Sequence, residues 1–305
     1  MKKTTIKDIA KEANVSIATV SYILNNVKTQ SISDETRVKV LKIAQQLKYV
    51  TNRTAQSLKI NKTGLIGIIL FKEENQHVWS DLKYAKTVFK LEQLFSELGY
   101  HVLFMQIDSM TPSNKIIMER NLDGALLINV DQERFSTISN YFGFGVPVVV
   151  MDSYIDNSLF HKVLPDMEQS FNLSQGLLGD SPQFLVMDSY NNVEFMNFIK
   201  QKSNLSDSQI YVSNHTAGSL STFLSQFPDG PGMVMNEFLA NEVYNTHKNI
   251  VAICTCNCSE ILRDNINNIR FNLNDYKEIV HMVDRYIQDV DYVNNENFLL
   301  LPPHS

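Results

Sequence analysis

Ser16, Thr19, Ser21 and Asn25 fall on or beside one short stretch of predicted helix, interleaved with Ile17, Ala18 and Tyr22. Hydroxyl and amide groups of this kind donate and accept hydrogen bonds. The chemistry they suggest is therefore recognition. A short uncharged face can enter the major groove of DNA while Ser16, Thr19, Ser21 and Asn25 bond phosphates. A second cluster, Cys254, Cys256 and Cys258, has types suited to a metal or redox site. On a strand, alternate residues share a face about 6.6–7 Å apart. That is far for thiolates around one tetrahedral metal, whose usual spacing is CxxC, and poor for a disulfide. A loop would relax both objections, so a structural or pocket-lining role and a metal or redox role both stay open. No GxxxxGK[ST] loop, no GxGxxG after a strand, no HExxH, no EF-hand and no GxSxG occurs. An enzyme reading has no motif behind it, and no cofactor or metal is expected.

The elements that must position the recognition face come next. Thr5-Ile6-Lys7-Asp8 has the form of a capping box, with Asp8 for the usual Glu. The helix it opens runs to about Ala13, with Ile6, Ile9, Ala10 and Ala13 on one face. Asn14-Val15 is a turn, and Ser16 can cap a second helix through Leu24. Val20, Ile23 and Leu24 face inward there, which leaves Ile17, Ala18, Ser21, Tyr22 and Asn25 outward. Two short helices joined by a tight turn form a helix-turn-helix. Ser33 caps a third helix, with Asp34 and Glu35 at the positive end of its dipole. Its expected apolar stripe is Val38, Leu41, Ala44 and Leu47. Periodicity alone also allows a three-helix bundle with no ligand.

Charge is divided unevenly. Residues 1–62 hold 12 Lys/Arg and 4 Asp/Glu, a net +8, and the rest of the chain carries −14, for −6 in all. A basic head suits a polyanion, and an acidic body stays off it. With 44% hydrophobic and 20% charged residues the 305-residue chain is not disordered throughout. No run reaches the ~18 apolar residues of a membrane span. The basic start lacks the apolar stretch of a signal peptide. Three cysteines cannot build a disulfide framework, and a cytoplasmic location is expected.

Ile6-Lys7-Asp8-Ile9-Ala10, Val15-Ser16-Ile17-Ala18-Thr19-Val20-Ser21, Leu24-Asn25, Thr36-Arg37-Val38-Lys39-Val40 and Leu47-Lys48-Tyr49 together resemble the headpiece of the lactose-repressor (LacI/GalR) family. Asn52-Arg53-Thr54-Ala55-Gln56-Ser57-Leu58 looks like that family's hinge helix, and Thr63-Gly64-Leu65-Ile66-Gly67 like the start of its core. The resemblance implies DNA contacts from Thr5, Ile6, Ser16, Ile17, Ala18, Thr19, Ser21, Tyr22, Asn25, Ser33, Thr36, Tyr49, Asn52, Ala55 and Leu58. A two-turn hinge is too short to be stably helical alone. In the family it orders when two copies meet over the minor groove, where Ala55 permits close approach and Leu58 wedges between base pairs. A flexible linker with an incidental leucine is the bland alternative. Tyr22 stands where the family usually has an arginine, and tyrosine cannot make arginine's paired hydrogen bonds to guanine. The loop 26–31 is about two residues longer than in the lactose repressor.

In the body, apolar runs at 65–71, 102–107, 125–130, 147–151, 184–187, 210–212, 232–235 and 251–254 alternate with helical stretches. This implies parallel α/β sheets. The expected fold is an all-α helix-turn-helix head and hinge helix on an α/β core of two doubly wound parallel-sheet subdomains, periplasmic-binding-protein-like as the resemblance implies. The expected boundaries are a head at 1–50, a hinge at 51–60 and a core at 61–305. The core would divide into 63–155 plus 270–292 and 160–265 plus 295–303. The chain would cross near 153–162, 266–270 and 294–297, with a late strand at 298–301. Ligands of such sheets bind at the strands' carboxyl ends.

The resemblance implies an effector-contacting carboxylate at Asp152, which ends the strand Val146-Pro147-Val148-Val149-Val150-Met151. It also implies Asn236 at the end of Gly232-Met233-Val234-Met235, though Glu237 replaces the family's aspartate. Cys256 stands where a sugar-gripping carboxylate is usual, and Asp188-Ser189-Tyr190-Asn191-Asn192-Val193-Glu194 is shorter than the family's loop and lacks its arginine. Phe71 and Trp79 are candidates to line the cleft, as aromatics often do in the family, or to pack in the core. The chain reaches Leu301-Pro302-Pro303-His304-Ser305 without a leucine heptad, so a homodimer on a roughly palindromic operator is expected. The amphipathic stretch 82–98 is the candidate dimer face. The expected function is a sequence-specific DNA-binding regulator, a repressor modulated by a small molecule. The alternatives are a receptor or enzyme with a vestigial head, and a DNA-binding regulator with a degenerate pocket controlled by a protein partner.

Overall fold

The structure, a computed structural model, describes residues 4–24, 32–47, 62–72, 79–107, 121–142, 146–213, 218–289 and 291–305. The chain forms two compact units, Met1–Thr63 and Gly64–Ser305.

In the first unit, α1 spans Ile6–Ala13, α2 Ile17–Leu24 and α3 Asp34–Gln46. The capping box forms as expected. The Thr5 hydroxyl donates to Asp8 Oδ2 at 2.7 Å, and the same carboxylate accepts the Thr5 backbone N–H at 2.8 Å. Asn14 stops α1 in the left-handed conformation with φ 53°, a role Asn fills at low steric cost. Ser16 Oγ then accepts the N–H of Thr19 at 3.0 Å and caps α2, as Ser33 caps α3 through Thr36. The core is Ile9, Ala10, Ala13, Val20, Ile23, Val40 and Ala44. The stripe expected on α3 is corrected here. Val38 and Leu41 are 55% and 47% exposed, while Val40, Ile43, Ala44 and Leu47 turn inward. Both sets satisfy a helical period, and the docking of α3 on α1 and α2 decides between them.

The second unit holds two six-stranded sheets. Its strands are β1 Leu65–Phe71, β2 His101–Ile107, β3 Gly124–Ile128, β4 Val148–Met151, β5 His161–Pro165, β6 Phe184–Met187, β7 Ile210–Val212, β8 Gly232–Met235, β9 Ile250–Ile253, β10 Asn267–Phe271, β11 Phe298–Leu301 and β12 Pro303–His304. The first sheet runs β11-β5-β4-β3-β1-β2 and the second β12-β10-β9-β8-β6-β7. Every pairing is parallel except β10 with β12. Within each sheet the first five strands follow the doubly wound order 2-1-3-4-5, so each has a switch point, at β1/β3 and at β6/β8.

Side chains of β1 enter two cores. Ile66, Ile68 and Leu70 pack with Leu91, Phe95 and Val283 on one face, and Ile69 and Phe71 with Phe135 and Ile138 on the other. A strand covered on both faces must be apolar throughout, which is why LIGIILF reads as one unbroken run. Tyr276, Ile279, Val280, Val283 and Ile287 give the helix Tyr276–Gln288 its buried stripe.

The crossings lie later than expected. His161–Pro165 pairs with β4 and Phe298–Leu301 pairs with β5, so both belong to the first sheet rather than the second. Asn267–Phe271 pairs with β9 in the second sheet. Polar side chains disguised β5. His161 is buried with its ring nitrogens on the Glu296 carbonyl and the Tyr286 hydroxyl, and the Lys162 ammonium donates to the Asn157 carbonyl at 2.7 Å. Burying such groups is tolerable once they are hydrogen-bonded.

Candidate functional site

The carboxyl ends of the strands of both sheets bring the chemistry-bearing residues together. Asn129, Asp152 and Asn236 are the first residues after β3, β4 and β8, with φ of 59°, 47° and 87°. Side chains rarely adopt this region, and when they do, Asn and Asp dominate. Asn129 Oδ1 accepts the Asn191 N–H from the other subdomain at 3.0 Å, and Asp152 lines a cavity beside Tyr190.

Two adjoining cavities lie there. One of about 30 Å³ is lined by Tyr84, Thr87, Asp152, Tyr190, Thr255, Asn257 and Tyr276 among others. The other, of about 230 Å³, shares Asn257 and Phe271 with it and is lined further by Cys254, Ser259, Arg270, Asn272 and Leu273. The chain's own side chains narrow the space beside the first. At the first sheet's switch point, the Asn191 amide donates to the carbonyls of Phe71 and Lys72, both at 3.1 Å, and of Asn129 at 3.0 Å. The neighbouring Asn192 donates to the Val130 carbonyl at 3.0 Å. At the second sheet's switch point, Asn236 Nδ2 donates to Asp188 Oδ2 at 2.7 Å. Lys83 reaches the same carboxylate oxygen at 3.4 Å, with its side chain 2% exposed.

Among the expected pocket residues, Asp152 lines the cavity. Burial pushes its carboxyl up to about 6, while the Lys83 ammonium and a hydrogen bond with Tyr84 pull it down. Asn236 sits at the site but is already engaged, since its Oδ1 accepts the Phe238 N–H at 2.7 Å and caps the helix Glu237–Val243. Trp79 stacks on Phe238 with ring centroids 5.7 Å apart and planes 6° from parallel. Two expectations are corrected. The Phe71 ring is fully buried in the first sheet's core, and only its carbonyl faces the cleft. Cys256 is fully buried beneath Glu237, and its neighbours Thr255 and Asn257 line the cavity instead. Sequence reasoning had passed over Lys83, Tyr84, Tyr190 and Asn191. The last two stood in the loop singled out for its departure from the family, and Lys83 looked like an ordinary helix-surface charge.

The cysteines form part of a turn. Backbone N–H groups of Cys256 and Cys258 donate to the two Glu237 oxygens at 3.0 and 2.6 Å. Burial raises the Glu237 carboxyl above its ordinary range against the pull of these donors. It also raises the thiols of Cys254 and Cys256, which disfavours the thiolate needed for metal binding or attack. Among the described residues no group of three or more His, Cys, Asp or Glu is placed to hold a metal ion.

In the head, Ile17, Ala18 and Tyr22 are exposed on α2 and Ser21 is half-buried beside them, the outward face expected from the spacing. Thr5, Ser16 and Ser33 stand at the three helix N-termini, where Thr19 and Thr36 hydroxyls meet Ser16 and Ser33 at 2.9 and 2.8 Å. Helix starts favour anions. Ile6 is half-buried on the first turn of α1. Asn25, Tyr49, Asn52, Ala55 and Leu58, the hinge and the loop 26–31 lie outside the described residues.

Residues 5–52 match the family described as bacterial regulatory proteins, lacI family. The chain is 28% identical over 171 residues to the HTH-type transcriptional repressor PurR of Photobacterium profundum, covering 54% of this chain and 48% of that protein. It is 34% identical over 160 residues to the probable HTH-type transcriptional repressor ExuR of Bacillus subtilis, covering 52% and 46%. It thus spans about half the length of the curated relatives it matches. Its fold is shared by the lac repressor dimer bound to operator and the anti-inducer ONPF, with TM-score 0.70, 15% identity and 99% and 97% of the two chains covered. The transcriptional regulator CelR in its cellobiose complex has TM-score 0.59 at 16% identity, covering 99% and 98%. Residues 5–52 are thus matched by the family model of lacI-type bacterial regulatory proteins, and the chain shares its fold with the lac repressor.

Proposed function

We propose that the protein is a sequence-specific DNA-binding transcriptional repressor, a regulator rather than an enzyme, acting in the cytoplasm. The observation that carries this is the exposed, uncharged face of α2, set behind a tight turn in a basic N-terminal unit. Ile17, Ala18 and Tyr22 meet base edges, while Thr5, Ile6, Ser16, Thr19, Ser21, Asn25, Ser33, Thr36 and Tyr49 bind and pack against the backbone. Asn52, Ala55 and Leu58 form the minor-groove hinge between a head at 1–50 and a core from 61 onward. A homodimer places two heads on a pseudo-palindromic operator. The exposed Leu82, Phe89, Leu98 and Phe104, with Phe89 73% exposed, support pairing through the first sheet's helix 85–97 and edge strand β2. Selection of bound sequences from random duplex DNA tests the reading. A palindromic consensus is expected, and the absence of any enriched sequence would overturn it.

The core cleft couples a small molecule to hinge order in this reading. The cavity beside Asp152, of about 30 Å³, favours a narrower version, in which Lys83 and Asn191 keep a sugar from reaching that carboxylate. A thermal-shift screen of hexoses and pentoses separates the two. No shift is expected, and a shift abolished by Asp152→Ala would restore a sugar-responsive core.

A further inference from the structure

One of the few charged groups buried in the core is Lys83, 2% exposed. Lys83 ends the short helix Ser80–Lys83, which leads into the helix Ala85–Glu97 packed beside the first sheet. Its ammonium enters the switch point of the second sheet. Three acceptors of different kinds surround it. Asp188 Oδ2 lies at 3.4 Å, the Ser189 carbonyl at 3.4 Å, and the centre of the Tyr190 ring at 3.7 Å. Asp152, at the end of a first-sheet strand, adds a second carboxylate within electrostatic reach. An ammonium has three donors and no acceptor, so a carboxylate, a carbonyl and a ring face around one nitrogen match it in sign. Asn236 holds the carboxylate in position from the other side at 2.7 Å.

We propose that the cleft is an alkylammonium site whose resident occupant is Lys83. Asp188, Ser189 and Tyr190 supply the cage from one subdomain, and the lysine arrives from the other. Filling the cage therefore draws the two sheets together without a small molecule. The ligand class able to take over the cage is a primary alkylamine, which carries the same head group on a stem of its own. This goes beyond DNA binding and stands whether or not the head recognises an operator.

The test uses the full chain without DNA and n-butylammonium as the probe, with 1-butanol as its uncharged counterpart. Lys83→Ala leaves a buried carboxylate without its cation, and its melting temperature is expected to fall by roughly 6–20 °C. Millimolar n-butylammonium is expected to restore part of that loss saturably, 1-butanol is not, and the wild type is expected to ignore both. Equal responses to amine and alcohol, or none to the amine, would overturn the proposal. Lys83→Met keeps the volume of the stem and separates charge from packing, so a melting temperature equal to the wild type's also overturns it. Should Lys83→Ala fail to fold alone, refolding with and without the amine reads the same thing. Recovery only with amine supports the cage, and failure in both counts against it.

Discussion

Glu237 accepts the backbone N–H of Cys256 at 3.0 Å from a fully buried position at the start of its helix. Its other oxygen accepts that of Cys258, so one carboxylate serves two main-chain donors in the turn after β9. Glu237→Ala orphans both. At about 1–3 kcal/mol for each unsatisfied buried group, the loss is expected to be roughly 2–6 kcal/mol. Glu237→Gln, which keeps one acceptor oxygen, should lose less. Urea unfolding measures both, and an unchanged midpoint for the alanine variant would show that the turn finds other partners.

Asp152 links stability to pH. Its folded value of about 6 stands above the ordinary 3.8, so the folded chain holds this proton more tightly than the unfolded chain. The resulting stabilisation is present below about pH 4 and is lost as pH rises through about 6, a swing of up to about 3 kcal/mol. Wild-type stability relative to Asp152→Asn should fall across that window. Melting curves at stepped pH read it directly, and a difference between the two proteins that does not vary with pH would refute the assignment.

Tyr22 is exposed on α2 where the family usually has arginine. Tyr22→Arg should move preference toward guanine at one symmetric position of each half-site, because a guanidinium makes the paired bonds that a phenol cannot. Binding-site selection with both proteins would show it, and an identical consensus would mean that residue 22 reaches no base.

In the proposed dimer each head, residues 1–62, carries a net charge of +8. Operator affinity should drop steeply between ~50 and ~200 mM salt as condensed counterions are released. Titrations across that range check this, and a flat response would argue against a backbone-driven interface.

Strands β1, β6 and β8 were legible because both of their faces are covered, which leaves an apolar run with no ambiguity of period. Strand β5 was not, since His161 and Lys162 look like solvent-facing residues until the Tyr286 hydroxyl and the Asn157 carbonyl are seen beside them. The α3 stripe failed for a different reason. Val38/Leu41 and Val40/Ile43 are equally periodic, and only the docking of α1 and α2 selects one. Asp152 and Asn236 could be placed at strand ends by resemblance. What fills the space between them could not, because Lys83 and Asn191 bind there to partners 105 and 62 residues away in sequence, Asp188 and Asn129.

Trp79 is the chain's one tryptophan, and it lies flat against Phe238 beside the second sheet's core. Indole emission depends on what touches the ring and on how much water reaches it. An event that moves the Trp79 ring off Phe238 changes the intensity and colour of the unlabelled protein's fluorescence. The molecule carries its own optical gauge of this contact, readable before any ligand or operator has been identified.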